Sequence, residues 1–360
     1  MPELGFRLVK RNKKYIMSTS TWSRLRWPFK ALLIALPIIA FSYFAITDGW
    51  FSAGDKSEID RTITDGKTTT IPSGEDVKTE SKTSAIAKAD EGRIFAYQPE
   101  KPVNGELKGI VEVGATGFNS FIINMDKERR WEVLSKDFGQ SLVYEGLATT
   151  DDIRAGLKKY ISMMFDKGVK SKNVHFIISS GAQKAPKTTI ISSELKKMGF
   201  VVNLVTAEQE GKLALKSALP PGYYGNAFVA DIGSGNTKIS WMNAANIMAT
   251  EAPGSKYYEK EIQDDVIYNE VKNKASEVPS KNREVCFIIG GTPFDLAKQH
   301  RNGEERYTVL KSPGSYSADK PKTKSGLNIY KAIQDATNCD TFVFDWDANF
   351  SIGFLLQLPY

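Results

Sequence analysis

The sequence predicts an α/β fold built twice over, and two observations carry that expectation. Two strand–glycine-turn–strand segments stand about one domain apart. The first is Gly109-Ile110-Val111-Glu112-Val113-Gly114-Ala115-Thr116-Gly117, followed by Phe121-Ile122-Ile123. The second is Phe228-Val229-Ala230-Asp231-Ile232-Gly233-Ser234-Gly235-Asn236-Thr237, followed by Ile239-Ser240-Trp241. In addition, strand-like and helix-like segments alternate through the remainder of residues 108–360, the pattern of buried sheets covered by helices. Each glycine turn reads as the tip of a β-hairpin with a carboxylate at its base. Glycine lets backbone approach an anion closely, and bare N–H groups can cradle phosphate. The carboxylates, Glu112 and Asp231, can hold a divalent cation such as Mg²⁺ through water. Two such hairpins imply a duplicated fold with a phosphate clamped between the halves.

Composition narrows the function classes. The 360 residues are 41% hydrophobic and 25% charged, ordinary globular values with room for two domains. The formal charge of +6 is concentrated at the start of the chain. Residues 1–30 carry Arg7, Lys10, Arg11, Lys13, Lys14, Arg24, Arg26 and Lys30 against the single acid Glu3. The rest is near neutral, so nucleic acid is not an expected partner, whereas the tail suits anionic lipid. His175 and His300 are isolated, and no Cys or His spacing fits a zinc site or a histidine-based triad. Cys286, in an apolar run, reads as a buried thiol, and its pairing with Cys339 is left open.

The elements follow in order. Ala31 to Ile46 is almost wholly apolar, with Trp27 before it and Trp50-Phe51 after it, and a helix over 31–51 would just cross a bilayer. The basic flank on the N-terminal side predicts a single-pass anchor with its N-terminus cytoplasmic and the globular part periplasmic or extracellular. Residues 52–107, rich in Ser, Thr, Asp, Glu, Lys and Gly, read as a flexible linker. Two domains are expected beyond it, at 108–225 and 226–360. After the first hairpin, Asp151 to Lys167 has helical spacing with Thr150 as cap, and Val174 to Ile178 is a strand. Thr188 to Met198 is a helix stopped by Gly199, Val201 to Val205 a strand, and Ala207 to Ala218 a helix. After the second hairpin come a helix near Tyr258 to Ala275, a strand at Glu284 to Ile289, and Gly290-Gly291-Thr292 leading into a helix through Ala297. Phe342 to Tyr360 fits no element of the pattern.

This order of motifs resembles the exopolyphosphatase and guanosine pentaphosphate phosphohydrolase family, within the actin-like, sugar kinase and Hsp70 ATPase superfamily. The resemblance covers roughly residues 107–300 and implies two actin-like (ribonuclease H-like) domains with a cleft between them. The two glycine turns look like the family's phosphate loops, which assigns Gly114, Ala115, Thr116, Gly117, Asn119, Gly233, Ser234, Gly235, Asn236 and Thr237 to phosphate. Thr206-Ala207-Glu208-Gln209-Glu210-Gly211-Lys212-Leu213 is similar to the segment bearing the catalytic glutamate. Read on chemistry alone, Glu210 is a solvated charge beside Glu208 and Lys212; the resemblance makes it the base that activates water. Pro253-Gly254-Ser255 matches a turn that the family places before a helix, and Ile289-Gly290-Gly291-Thr292 matches its late glycine turn. Gly290, Gly291 and Thr292 read equally as a nucleotide contact or a helix cap.

The sequence departs from the pattern at Glu112, where the family has Asp, and at Ser234 and Asn236, where it has Gly and Ser. Ser179-Ser180-Gly181 with Lys184 stands where the family ends a segment in Arg; Lys184 would meet phosphate as a point charge. A second resemblance, to the ecto-apyrases, rests on Gly114-Ala115-Thr116-Gly117, Glu210-Gly211 and the anchor. The resemblance therefore implies a Mg²⁺-dependent, membrane-anchored phosphoanhydride hydrolase acting on polyphosphate or nucleotides. The alternative is a non-catalytic actin-like scaffold tethered to the membrane. Expected partners are polyphosphate or nucleotide and the bilayer through residues 31–51, with a homo-oligomer or a membrane complex as the assembly left open.

Overall fold

The computed structural model describes residues 95–114, 117–140 and 149–360. The predicted basic tail, the membrane helix at 31–51 and most of the 52–107 linker lie outside the described residues, as do Ala115 and Thr116 of the first turn. No helix among the described residues is long and apolar enough to cross a membrane.

The chain forms two sheets on the same plan. In the first half, β1 (Glu106–Val113), β2 (Gly117–Met125) and β3 (Trp131–Gln140) make an antiparallel meander. Helix α1 (Thr150–Asp166), β4 (Val174–Ile178), α2 (Pro186–Lys197) and β5 (Val202–Leu204) follow, and β4 and β5 add to β1 in parallel. Helix α3 (Ala207–Ala218) leads to the second half. There β6 (Ala227–Ile232), β7 (Asn236–Asn243) and β8 (Asn246–Pro253) form a second meander. The chain continues through α4 (Asp264–Ala275), β9 (Val285–Gly290), α5 (Gly291–Ala297), β10 (Tyr307–Leu310), α6 (Pro321–Thr337), β11 (Phe342–Asp345) and α7 (Phe350–Gln357). The strand orders are β3-β2-β1-β4-β5 and β10-β11-β9-β6-β7-β8. Apart from the edge strand β10, the second sheet repeats the first strand for strand.

Three apolar layers hold this arrangement. Along β1, Ile110 enters the central core and Val111 an outer one; along β6, Val229 and Phe228 divide the same way. The period of two is the strand's own, and both faces are covered, so the strands read as continuous apolar runs. The central core joins Ile110, Phe121, Val229 and Phe287 to Leu213 and Ala214 of α3 and to Ile352 and Leu355 of α7.

Most predicted elements appear within a residue or two, with informative exceptions. The cap of α1 is Thr149 rather than Thr150: its side chain accepts from the Asp152 N–H and Asp152 answers its backbone, a capping box. The helix expected from Tyr258 begins only at Asp264, because a short 3₁₀ turn at Tyr257–Lys260 ends at Glu261 with φ +55°. Packing extends into the predicted linker, since Phe95 is buried against Tyr223, Phe287 and Tyr307. Cys286 and Cys339 are both buried free thiols.

Candidate functional site

A cavity of about 440 Å³ lies where the central parallel strands end. Its walls include Glu112 and Gly114 at the end of β1, Ser179 and Gly181 after β4, Asp231 and Gly233 at the end of β6, and Gly290 at the end of β9. In open α/β sheets this carboxyl-end crevice is the common ligand position. Two glycine positions shape it by close approach. Gly290 has φ +107°, and a Cβ there would stand 2.3 Å from Ile232 O. A Cβ on Gly254 would stand 2.3 Å from Asn236 N, because the Pro253-Gly254-Ser255 turn lies against the back of the second glycine turn. There the N–H groups of Ser255 and Lys256 donate to Gly233 O and Ser234 O. With those carbonyls held from behind, the N–H groups of Ser234 and Gly235 have no backbone acceptor among the described residues.

The acidic side chains converge from three elements. Glu210 sits in the first turns of α3, whose start is fixed by a Thr206–Gln209 capping box. It is fully buried, not the solvated charge that its neighbours suggest, because α3 packs between the sheets. Its carboxylate accepts a short hydrogen bond from the Ser180 N–H. The other oxygen, Oε2, is ion-paired to Lys238 Nζ at 2.5 Å. Glu112 is buried and accepts from Asn119 Nδ2 at 3.0 Å across the β1–β2 ladder. Burial pushes the Glu112 pKa up to about 7; the Asn119 hydrogen bond opposes this, and the charges of Glu210 and Asp231 add to it. Burial also raises Asp231 above the usual carboxylate range, against the pull of Lys238.

Lys238 is the residue that the motif reading missed. It stands directly opposite Asp231 in the β6–β7 ladder, so the two side chains share a face. Its Nζ is 3.9 Å from Asp231 Oδ2 as well as 2.5 Å from Glu210. Burial lowers its pKa, but Asp231 and Glu210 outweigh burial and the net displacement is upward. Lys238 is thus a buried ammonium among carboxylates.

The predicted site residues divide into two sets. Glu112, Gly114, Asn119, Glu210, Asp231, Gly233, Ser234, Gly235, Asn236, Gly290 and Gly291 all line the cavity. Gly117 opens β2, and Ala115 and Thr116 lie outside the described residues. Thr237 turns its hydroxyl to Pro253 O at 2.9 Å. Thr292 packs its side chain against Gly326 of α6, which leaves Gly290 as the N-cap of the short α5. Lys184 is exposed at the end of a 3₁₀ turn and does not reach the cavity. Two lysines from elsewhere line the wall instead: Lys136 on β3, paired to Asp347 at 3.1 Å, and Lys322 at the start of α6, beside Gly291. Phe138, Phe294 and Trp346 complete the mouth. None of these five belongs to a local motif; only the fold brings them together.

The same geometry tests the expected Mg²⁺. No group of three or more His, Cys, Asp or Glu able to hold a metal occurs among the described residues. The space between Glu210 and Asp231 already holds the Lys238 ammonium, and Glu112 is turned to Asn119. A divalent cation there would face a like charge in a low-dielectric pocket. The side chains present do not fit the metal as the sequence predicts.

Comparison with known proteins bears on the fold. No family model matches the chain. No curated protein matches it either. Solved structures do match. A Ppx-GppA enzyme from Aquifex aeolicus superposes with a TM-score of 0.56 at 18% identity, over 70% of this chain and 99% of that one. Another structure of that organism's Ppx/GppA family member gives 0.55 at 17% identity, over 70% and 96%. An exopolyphosphatase from Cytophaga hutchinsonii gives 0.55 at 15% identity, over 69% and 96%. The chain therefore shares the fold of the Ppx/GppA proteins, as the motif order implies. These structures do not carry the ecto-apyrase resemblance.

Proposed function

We propose that this chain binds a polyphosphate or nucleoside polyphosphate between its two glycine turns and hydrolyses the terminal phosphoanhydride. One observation carries the reading: the carboxylate of Glu210 projects from α3 into a cavity walled by both turns. Phosphoryl transfer asks little covalent chemistry of a protein; it asks for positioning and for balance of charge on the equatorial oxygens. The free N–H groups of Ser234 and Gly235 are suited to grip those oxygens, with Gly114 and Asn119 opposite. Water held at the Glu210 carboxylate, which lines the cavity, would attack phosphorus in line. The bond to the leaving phosphate oxygen breaks, and the water proton passes to Glu210. Shared fold with exopolyphosphatases supports the reaction class. In this reading residues 31–51 anchor the chain with its N-terminus cytoplasmic, the two sheets belong to actin-like domains at 108–225 and 226–360, and protease protection of membrane vesicles tests the topology.

A second reading, the non-catalytic actin-like scaffold, is favoured by the Lys238–Glu210 pair, which weakens Glu210 as a base. Phosphate release by the purified protein from long-chain polyphosphate, ATP, ADP and GTP decides. Glu210→Gln is expected to lower release by about 10²–10⁴-fold while leaving binding intact. Release unchanged by Glu210→Gln removes Glu210 from the mechanism. Binding without any release by the unmodified protein favours the scaffold.

A further inference from the structure

Building on the phosphoanhydride-binding reading, we propose that Lys238 is the resident cation of this site. Its ammonium takes the place of a divalent metal, pairing with Glu210 and Asp231 and meeting the bound phosphate beneath the second glycine turn.

Three features support the assignment. Lys238 Nζ lies between carboxylates from two different elements, 2.5 Å from Glu210 on α3 and 3.9 Å from Asp231 on β6. The β6–β7 register fixes it there, because residue 238 is paired directly with residue 231. The ammonium also reaches the turn itself: a Cβ on Gly233 would stand 3.6 Å from Nζ. A phosphate gripped by the Ser234 and Gly235 N–H groups would therefore come close to a positive charge that the protein already holds.

A buried lysine without partners is costly, and so are the buried carboxylates of Glu210 and Asp231 without a cation. Each lowers the cost of the other, which accounts for a lysine inside the fold. The ammonium also occupies the place between the two carboxylates that a metal would take. A divalent ion would have to displace the ammonium or accept its repulsion, while a phosphoanhydride free of metal meets Lys238 directly, with Lys136 and Lys322 on the wall beyond. The ligand class that follows is a phosphoanhydride carrying monovalent counter-ions.

The test uses the full chain and pyrophosphate as probe, with binding measured by calorimetry in excess Mg²⁺ and again in EDTA. Lys238→Met and Lys238→Arg are compared, and near-ultraviolet circular dichroism checks their folding. Unmodified protein is expected to bind in EDTA as well as in Mg²⁺. Lys238→Met should weaken binding in EDTA about tenfold or more, and Lys238→Arg should restore most of it. Mn²⁺ alone, followed by loss of its free-ion paramagnetic resonance signal, should show no binding that Asp231→Asn removes. Binding that vanishes in EDTA overturns the inference and leaves the phosphoanhydride reading standing. A folded Lys238→Met that binds like the unmodified protein overturns it too, as does a Mn²⁺ site lost in Asp231→Asn. Absence of pyrophosphate binding in both buffers overturns both readings. Where Lys238→Met does not fold, the EDTA comparison and the Mn²⁺ measurement still decide.

Discussion

Glu112 holds a proton that the unfolded chain would release. Its pKa is pushed up to about 7 from an ordinary 4.5, chiefly by burial. Between those values the folded state binds more protons than the unfolded state. The stability that this proton contributes is fully present below pH 4.5 and is lost as pH rises through about 7. Glu112→Gln fixes the protonated shape, so denaturant unfolding across that window should lose a falling slope of at most about 1.4 kcal/mol per pH unit. A variant with the same slope as the parent would show that Glu112 ionises normally. The carboxylates of this site were legible in the sequence because Glu112 and Asp231 each interrupt an apolar strand, where an acid without a partner is costly. Lys238 was not legible. The alternation Lys238-Ile239-Ser240-Trp241 assigns Lys238 to a polar outer face, yet Thr237 to Trp241 are all buried because both faces of β7 are covered. Lys184 was a local guess about charge; Lys136 and Lys322, more than forty residues away from it in either direction, line the wall in its stead.

Elements were legible where one face is apolar at the right period, and not elsewhere. Helices α1 and α3 show their buried stripes plainly, Ile153, Leu157, Ile161 and Met164 in the first case. The strands β3 and β8 lie toward sheet edges and are largely half-buried or exposed, so they carry little pattern. Helix α7 fails for the opposite reason: Phe350-Ser351-Ile352-Gly353-Phe354-Leu355 is buried all round, and a helix without a polar face has no period to read. Gly353 shows how closely α7 sits on α3, since a Cβ there would stand 1.9 Å from Leu213 O. Gly353→Ala should therefore push the two helices apart and lower stability by about 1–3 kcal/mol, measured by denaturant unfolding. Because α3 carries Glu210, ligand affinity should fall with it. Gly290→Ala should cost a similar amount for two reasons at once, a φ of +107° and the approach to Ile232 O. If either alanine variant unfolds at the parental midpoint, the backbone at that position adapts more freely than its surroundings imply.

At the scale of the whole molecule, the repeated topology matters because it places a glycine turn on each sheet facing one cavity. A ligand held by both turns couples the halves, and a ligand held by one does not. Hydrogen exchange separates these cases. The N–H groups of Ser234 and Gly235 have no backbone acceptor among the described residues and should exchange quickly in the free protein. The carbonyls of Gly233 and Ser234 are held by Ser255 and Lys256, so slowing of those N–H groups would report capture by the ligand rather than a refolded turn. With tripolyphosphate at about 100 times its dissociation constant, global stability should rise by about 2.7 kcal/mol. Protection should appear together in residues 112–119 and 232–237, with one shared dependence on ligand concentration. Glu210 belongs to neither turn, so Glu210→Gln should keep this joint protection even where it abolishes phosphate release. Protection confined to residues 232–237 would mean that the second turn binds alone. The clamp between the halves, and the in-line geometry that depends on it, would then have to be abandoned.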